Sequence, residues 1–332
     1  MREFTIGKND AGQRLDRWLA KSVPLLPAPL AQKYIRLKRV KCNGRGAKRD
    51  TRLEQGDLLQ LYINDEFFDA PNESNAYLTI AHPKLDILYE DEHLLLVNKS
   101  AGQVVHADES GSPNTLINHI LAYLFQKGAY RPREENAFVP ALCNRIDRNT
   151  SGIVIAAKTA EALRVMNQKI RDREMEKRYL CVAVGHLQPE SGTLRCILLR
   201  DEKRKQVSVY HKAVPGGRSA VTLYRTLAQR DGLSLIECEL VTGRTHQIRA
   251  SLADAGCPLL GDGKYGNERI NRLYHRRQQA LCSWSLTFRF TTDAGALNHL
   301  NGKSWQVPCV DFVQEYFPDA ALPPVPGGEV AD

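Results

Sequence analysis

The chain contains no run of about 18 apolar residues, the length a helix needs to cross a bilayer. Its opening residues, Met1-Arg2-Glu3-Phe4, lack the apolar stretch of a secretory signal, so a cytoplasmic location with no membrane contact is expected. Eight cysteines (Cys42, Cys143, Cys181, Cys196, Cys238, Cys257, Cys282 and Cys309) include no CxxC pair. Their scatter fits neither a zinc cluster nor a compact disulfide scaffold, and the expectation is buried thiols in a reducing compartment. His82, His93, His106, His211 and His275 show no metal-ligand spacing. A dinucleotide fingerprint is missing, as is any internal repeat. The sequence thus implies neither a metal nor an organic cofactor.

What is present is positive charge. The 332 residues carry 46 Lys and Arg against 38 Asp and Glu, a formal net charge of +8. Such a balance suits a polyanionic partner, because each neutralised phosphate releases condensed counterions. The distribution says more than the total. Lys33, Arg36, Lys38, Arg39, Lys41, Arg45, Lys48, Arg49 and Arg52 face a single acid, Asp50, so this short stretch alone matches the net charge of the whole chain. A solvated face is the ordinary meaning of a charge run. Here the run brackets a helix and a hairpin with few compensating acids, which favours a nucleic-acid surface.

An apolar share of 42% supports a real core, and the length suggests two domains or one with a small appendage. Leu15, Trp18 and Leu19 fall on one helical face, and a break at Pro24, Pro27 and Pro29 precedes a second helix with Leu30, Tyr34 and Ile35. Val40, Cys42 and an Asn43-Gly44 turn lead to a strand ending at Ile63. Residues 65–83 are polar and rich in Asn and Pro, and they read as a linker. Strands dominate from Leu85 onward: two around the acidic turn before Leu94, one at Gly152–Ala157 and one at Arg178–Val184. Hairpins follow across Asp201–Gln206 and Asp231-Gly232. Thr159 is placed to cap a helix with Leu163, Met166 and Ile170 inward, and a further helix is expected from His246 to Ala255. This pattern predicts an α+β domain on a mainly antiparallel sheet. The expected divisions are 1–75 for a small basic module and the start of the linker, 76–320 for the main domain, and 321–332 for a disordered tail.

Three polar stretches carry chemistry. Asn144-Arg-Ile-Asp-Arg-Asn-Thr-Ser-Gly152 alone is a loop entering a strand, of the kind in which Asp147 turns back on backbone amides near Thr150. Lys177-Arg-Tyr179 opens a strand. Leu240-Val-Thr-Gly-Arg-Thr-His-Gln-Ile-Arg249 ends a strand and begins a helix.

Together these stretches resemble the RluA-type pseudouridine synthases. In that family an Arg-Leu-Asp-x-x-Thr-Ser-Gly stretch holds the catalytic aspartate. A Lys-x-Tyr stretch supplies an active-site tyrosine, and a Thr-Gly-Arg-x-His-Gln-x-Arg stretch supplies a basic residue. Val97-Asn-Lys-Ser-Ala-Gly102 and Leu259-Leu-Gly-Asp262, with Tyr265 downstream, match in order and spacing, so the resemblance runs from about Asp86 to about Phe317. The first 75 residues resemble the small RNA-binding domain shared with ribosomal protein S-four. Asn144 and Cys282 stand where histidine is usual, Ile146 replaces leucine, and Ser100 replaces proline. These departures bear on subfamily and RNA target, because the aspartate, tyrosine and arginine all remain.

The resemblance implies Asp147 as catalytic residue, Tyr179 stacked on the target base, and Arg145 holding the place of a flipped nucleotide. It sets Arg249 opposite the aspartate, with Arg244 as the alternative partner or an RNA contact. Arg36, Lys38, Arg39 and Lys41 are candidate RNA-binding residues in the basic module. His246 reads as structural. The reaction breaks N1–C1′ of uridine, turns the base and joins C5 to C1′, with no redox step or group donor. A carboxylate serves it by attacking C1′ or by removing the C2′ proton. Base flipping is required, because C1′ is out of reach inside a stacked helix. The implied partner is RNA, by analogy large-subunit ribosomal RNA, and no obligate protein partner is implied. Two rival readings are a non-catalytic RNA-binding or ribosome-assembly factor and a hydrolytic glycosidase. The latter needs a second carboxylate, and none stands near Asp147 in sequence.

Overall fold

The computed structural model of the chain describes residues 1–106, 112–134 and 138–325. It divides into two compact units, one of Met1–Lys84 with His106–Arg131 and the other of Leu85–Val105 with Pro132–Asp332. Among the described residues no helix is long and apolar enough to cross a membrane.

The first unit is built on a four-stranded antiparallel sheet. Its strands, β1 (Arg2–Thr5), β2 (Val40–Cys42), β3 (Arg45–Gly46) and β4 (Leu58–Leu61), lie in the order β1-β4-β2-β3. Helix α1 (Leu15–Ser22) buries Leu15, Trp18 and Leu19, the face its periodicity predicts. It packs on α2 (Ala28–Arg36), whose first turn holds Pro29, where a missing N–H costs nothing. Val40, Leu59 and Leu61 supply the sheet's side of this core.

Residues 65–83 are not a linker. Short 3-10 turns at Asp65–Phe68 and Glu73–Thr79 bury Phe67, Tyr77 and Leu78. They meet α3 (Leu116–Lys127), where Phe125 lies edge-on to Phe67 and Tyr77 at ring separations of 5.7 and 6.0 Å. The polar composition that suggested a linker belongs to caps: Asn72 accepts from the Ser74 and Asn75 amides, and Asn75 accepts from Asn72 N–H. Residues 76–84 and α3 therefore pack in the first unit, whereas the sequence reading placed them in the main domain.

The second unit has the expected α+β character. Its sheet has eleven strands, with the main path β11-β10-β12-β13-β9-β14-β8-β6-β5. These are β5 (Ile87–Glu90), β6 (Leu94–Lys99), β8 (Ser151–Ala157), β9 (Met175–Val184), β10 (Ser191–Asp201), β11 (Gln206–Tyr210), β12 (Arg218–Arg230), β13 (Leu233–Leu240) and β14 (Leu281–Phe288). Short β7 (Ala141–Leu142) pairs β8, and β15 (Ser304–Gln306) pairs β14. Every pairing is antiparallel except β14 with β8. Central β14 is buried along its whole length, as expected of a strand covered on both faces. Helix α4 (Ala160–Arg171) is capped by Thr159, which accepts from Ala162 N–H at 3.1 Å, and it sets Met166 into the core. Helix α5 (Gln247–Asp254) starts one residue later than the sequence suggests.

Two further expectations change. Leu322 and Val325, in the segment read as a disordered tail, pack on the main core, and residues 326–332 lie outside the described ones. All eight cysteines are free thiols, but only five are buried; Cys42 and Cys143 are half-buried and Cys309 is exposed.

The parallel step is where the polar loop before β8 is fixed. Gly152 faces Ser283 across it with φ +107°, and a Cβ there would lie 2.2 Å from the Ser283 carbonyl oxygen. No L side chain fits both the angle and the space. Gly152→Ala should lower unfolding stability by at least about 2 kcal/mol, read by chemical denaturation. An unchanged transition midpoint would show that β8 and β14 can part without loss.

Candidate active site

The loop from Asn144 to Gly152 is held from three sides. Asn144, where histidine is usual, accepts from Ile155 N–H at 2.8 Å and donates to the Ile153 carbonyl at 3.3 Å, tying the loop's start to β8. Lys99 is 1% exposed, and its ammonium donates to the carbonyls of Ser100, Gln103 and Arg148 at 2.9, 3.1 and 2.9 Å. It thereby joins the end of β6 to the loop. Burial brings its pKa down to about 8 against the pull of the Asp147 charge, so it stays protonated at neutral pH. Gln279 donates to the Thr150 hydroxyl at 2.7 Å.

With the loop fixed, Asp147 does not close a side-chain turn. Its backbone carbonyl accepts from Thr150 N–H at 3.0 Å, and its carboxylate reaches Arg249. Arg249 Nη1 donates to Asp147 Oδ2 at 2.6 Å. The same guanidinium is gripped from behind: Nε and Nη2 donate to the two oxygens of Asp262 at 2.7 and 2.9 Å, a bidentate pair. Burial works against the charge on both partners. Their mutual bonds prevail, holding the Asp262 carboxyl below its usual range and Arg249 above its own. Asp262 also accepts from the amides of Lys264 and Tyr265. Gly261 permits this turn: its φ is +77°, and a Cβ would lie 2.2 Å from the Gln278 carbonyl oxygen.

The Thr242-Gly-Arg-Thr-His-Gln247 stretch now has a physical reading. Gln247 Oε1 accepts from the Thr242 hydroxyl and Arg244 N–H, while its amide donates to Val221 and Thr222. His246, just before α5, stands in a left-handed conformation, φ 53°. The His246 Nδ1 lies 2.8 Å from the Tyr265 hydroxyl, which already accepts from Val207 N–H. Assigned from this network, the phenol donates to Nδ1, leaving Nε2–H turned toward Asp147 Oδ2 at 3.8 Å. Burial lowers the His246 pKa to about 4, so the ring is neutral at pH 7. It acts as a wall and a dipole beside the carboxylate.

Tyr179 lies on β9 across from Ser283 of β14, with which it is hydrogen-bonded. Burial pushes its phenol up to about 12, with a further push from the Asp147 charge. It is therefore a neutral ring within electrostatic reach of the carboxylate.

Asp147, Tyr179 and Arg249 are thus brought together. Arg244 is not at the carboxylate: its Nε donates to the Ser219 carbonyl at 3.2 Å. Arg145 is exposed beside Ile146, which is buried. In the first unit Arg36, Lys38 and Arg39 are exposed and Lys41 is half-buried, with Arg39 over Tyr34 and Lys41 over Tyr62 at 5.3 and 5.1 Å. The roles of Lys99, Asp262 and Gln247 were missed in the sequence. All three stand in the matched stretches, but nothing in spacing says that they grip other residues.

Residues 93–254 match the family described as RNA pseudouridylate synthase. An uncharacterized RNA pseudouridine synthase of Mycoplasma genitalium is 33% identical over 292 residues, covering 86% of this chain and 88% of that protein. The ribosomal large subunit pseudouridine synthase D of Zymomonas mobilis is 30% identical over 326 residues, covering 96% and 95%. Among solved structures, human RNA pseudouridylate synthase domain containing 1 shares the fold at TM-score 0.51 and 19% identity, over 73% of this chain and 98% of that one. With near full-length relatives of this kind, the chain belongs to the RNA pseudouridine synthases.

Proposed function

We propose that Asp147 is the catalytic residue of this synthase and that its substrate is a uridine in structured large-subunit ribosomal RNA, modified in the cytoplasm. The observation that carries the catalytic assignment is the Asp147 carboxylate, turned away from its own loop and ion-paired with Arg249 at 2.6 Å beside Tyr179. A carboxylate so placed serves as nucleophile at C1′ or as base at C2′. As nucleophile it bonds to C1′ as N1–C1′ breaks and is displaced as C5–C1′ forms. As base it takes the C2′ proton as N1–C1′ breaks and returns it as C5–C1′ forms. In both, the C5 proton then leaves and N1 gains one. Arg249 holds the carboxylate in place during attack. Tyr179 offers a neutral ring for the flipped base to stack on, and exposed Arg145 fills the gap left in the RNA. The ribosomal target rests on relatives named for the large subunit.

The first unit is read as an RNA-binding module of the ribosomal protein S-four type. Its exposed basic residues supply phosphate contacts that carry affinity without sequence choice. Arg244 adds a further contact in the second unit.

Asp147→Asn should lower pseudouridine formation in ribosomal transcripts at least about a hundredfold while the protein stays folded. Activity within tenfold of wild type would remove Asp147 from the chemistry. Asp262→Asn tests the grip on Arg249. Breaking a buried pair from one side should cost about 3 kcal/mol of stability and lower kcat more than it raises KM, with partial recovery in Asp262→Glu. A loss confined to stability would leave Asp262 a structural residue only. Neutralising Arg36, Lys38 and Arg39 together should flatten the salt dependence of RNA affinity by roughly one unit of slope per lost contact. An identical slope would make the basic stretch an ordinary solvated face.

A further inference from the structure

A cavity of about 310 Å³ in the second unit is walled by Arg171, Arg173, Lys177 and Arg244, over Met175 and Leu240, and no carboxylate lines it. Arg171 ends α4, Arg173 follows it, and Lys177 lies on β9 two residues before Tyr179. Side chains two apart on a strand leave from the same face, roughly 7 Å apart. The cavity therefore opens on the Tyr179 face of β9.

The opposite face is organised differently. Arg178, between Lys177 and Tyr179, pairs with Glu176 at 2.5 Å and Glu237 at 3.3 Å, and Glu237 also pairs with Arg225. Charges there are matched. On the cavity face they are not. The Lys177 ammonium makes no hydrogen bond or ion pair among the described residues, and burial alone moves its pKa, downward. Arg171 uses one donor on Gln168 and Arg244 one on Ser219, leaving the remaining guanidinium N–H groups open. Burial disfavours the charge on the half-buried Lys177 ammonium, and an anion entering the cavity would offset that cost while meeting the open guanidinium donors around it.

We propose that this cavity is a phosphate subsite of the RNA track, holding one backbone phosphodiester of the substrate strand beside the nucleotide stacked at Tyr179. The inference rests on the proposed function and adds to it the place where the strand is gripped next to the reacting uridine. The donors fit a phosphodiester: planar guanidinium groups for its oxygens and a point charge at Lys177.

The test uses the full chain and large-subunit ribosomal RNA transcribed in vitro, with affinity measured across a salt series. The charge-removing double variant Lys177→Met with Arg173→Ala should bind roughly tenfold more weakly at low salt, with a log–log slope shallower by roughly two. The charge-keeping pair Lys177→Arg with Arg173→Lys should retain the wild-type slope. Unchanged affinity and slope in the charge-removing variant would overturn the subsite, as would equal losses in both variants. Should Lys177→Met fail to fold, Arg171→Ala with Arg173→Ala removes two exposed charges without touching the core, and an unchanged slope there overturns it equally. Inorganic phosphate at matched ionic strength should displace RNA from wild type more than from the charge-removing variant. A phosphate effect with identical RNA slopes would mean a site for free phosphate and overturn the proposal. Pseudouridine formation by wild type in the same transcript separates the two readings. Its absence overturns the proposed function, whereas an active wild type with unchanged variants overturns only the subsite.

Discussion

One buried guanidinium organises the site. Arg249 is in the first turn of α5, where the helix dipole disfavours a cation, and its side chain is nearly closed to solvent. It is tolerable there only because Asp262 meets two of its N–H groups in the bidentate geometry that suits a carboxylate. That pairing leaves Nη1 aimed at Asp147. A lysine in place of Arg249 could not serve both acids in fixed directions. The carboxylate at the centre is thus oriented by a residue that is itself oriented, and each element near α5 follows from keeping that chain rigid.

The sheet supplies the other half of the rigidity. An antiparallel sheet with a single parallel step brings Gly152, Ser283 and Tyr179 side by side on β8, β14 and β9. The step works because Gly152 has no side chain to collide with the Ser283 backbone. Lys99 then ties the Asp147 loop to β6 through the carbonyls of Ser100, Gln103 and Arg148. A protonated lysine among carbonyls is a compact way to fix a loop that cannot make sheet bonds of its own.

Much of this was legible in the sequence, because periodicity and turn residues report local structure. The Leu15, Trp18 and Leu19 face, the Thr159 cap and the two later hairpins all formed as read. The failures share a cause. Residues 65–83 looked like a linker because Asn72 and Asn75 are polar, yet their polarity is used on backbone amides while Phe67, Tyr77 and Leu78 go inward. Val325 looked unable to bury anything, yet it rests on a core assembled from residues far away in the chain. Asp147 was ambiguous for the same reason. Whether a loop aspartate bonds its own amides or a distant arginine depends on long-range geometry, and Arg249 is 102 residues away. The family resemblance pointed to Asp147, Tyr179 and Arg249, which the fold brings together, but not to Asp262 holding Arg249 or to Gln247 bracing the loop before α5.

The two faces of β9 carry the same tension as the active site. One face neutralises its charges internally, with Arg178 shared among glutamates, and so contributes stability without a partner. The other leaves the half-buried Lys177 ammonium without an anionic partner, and burial disfavours its charge. An enzyme acting on a polyanion has reason to hold such cations unmatched. Matching them with carboxylates would stabilise the fold and repel a polyanion. Separation of charge by strand face resolves the conflict, because successive side chains on one strand meet different surroundings without any change of backbone. Tyr179, two residues along the strand from Lys177, is also within electrostatic reach of the Asp147 carboxylate.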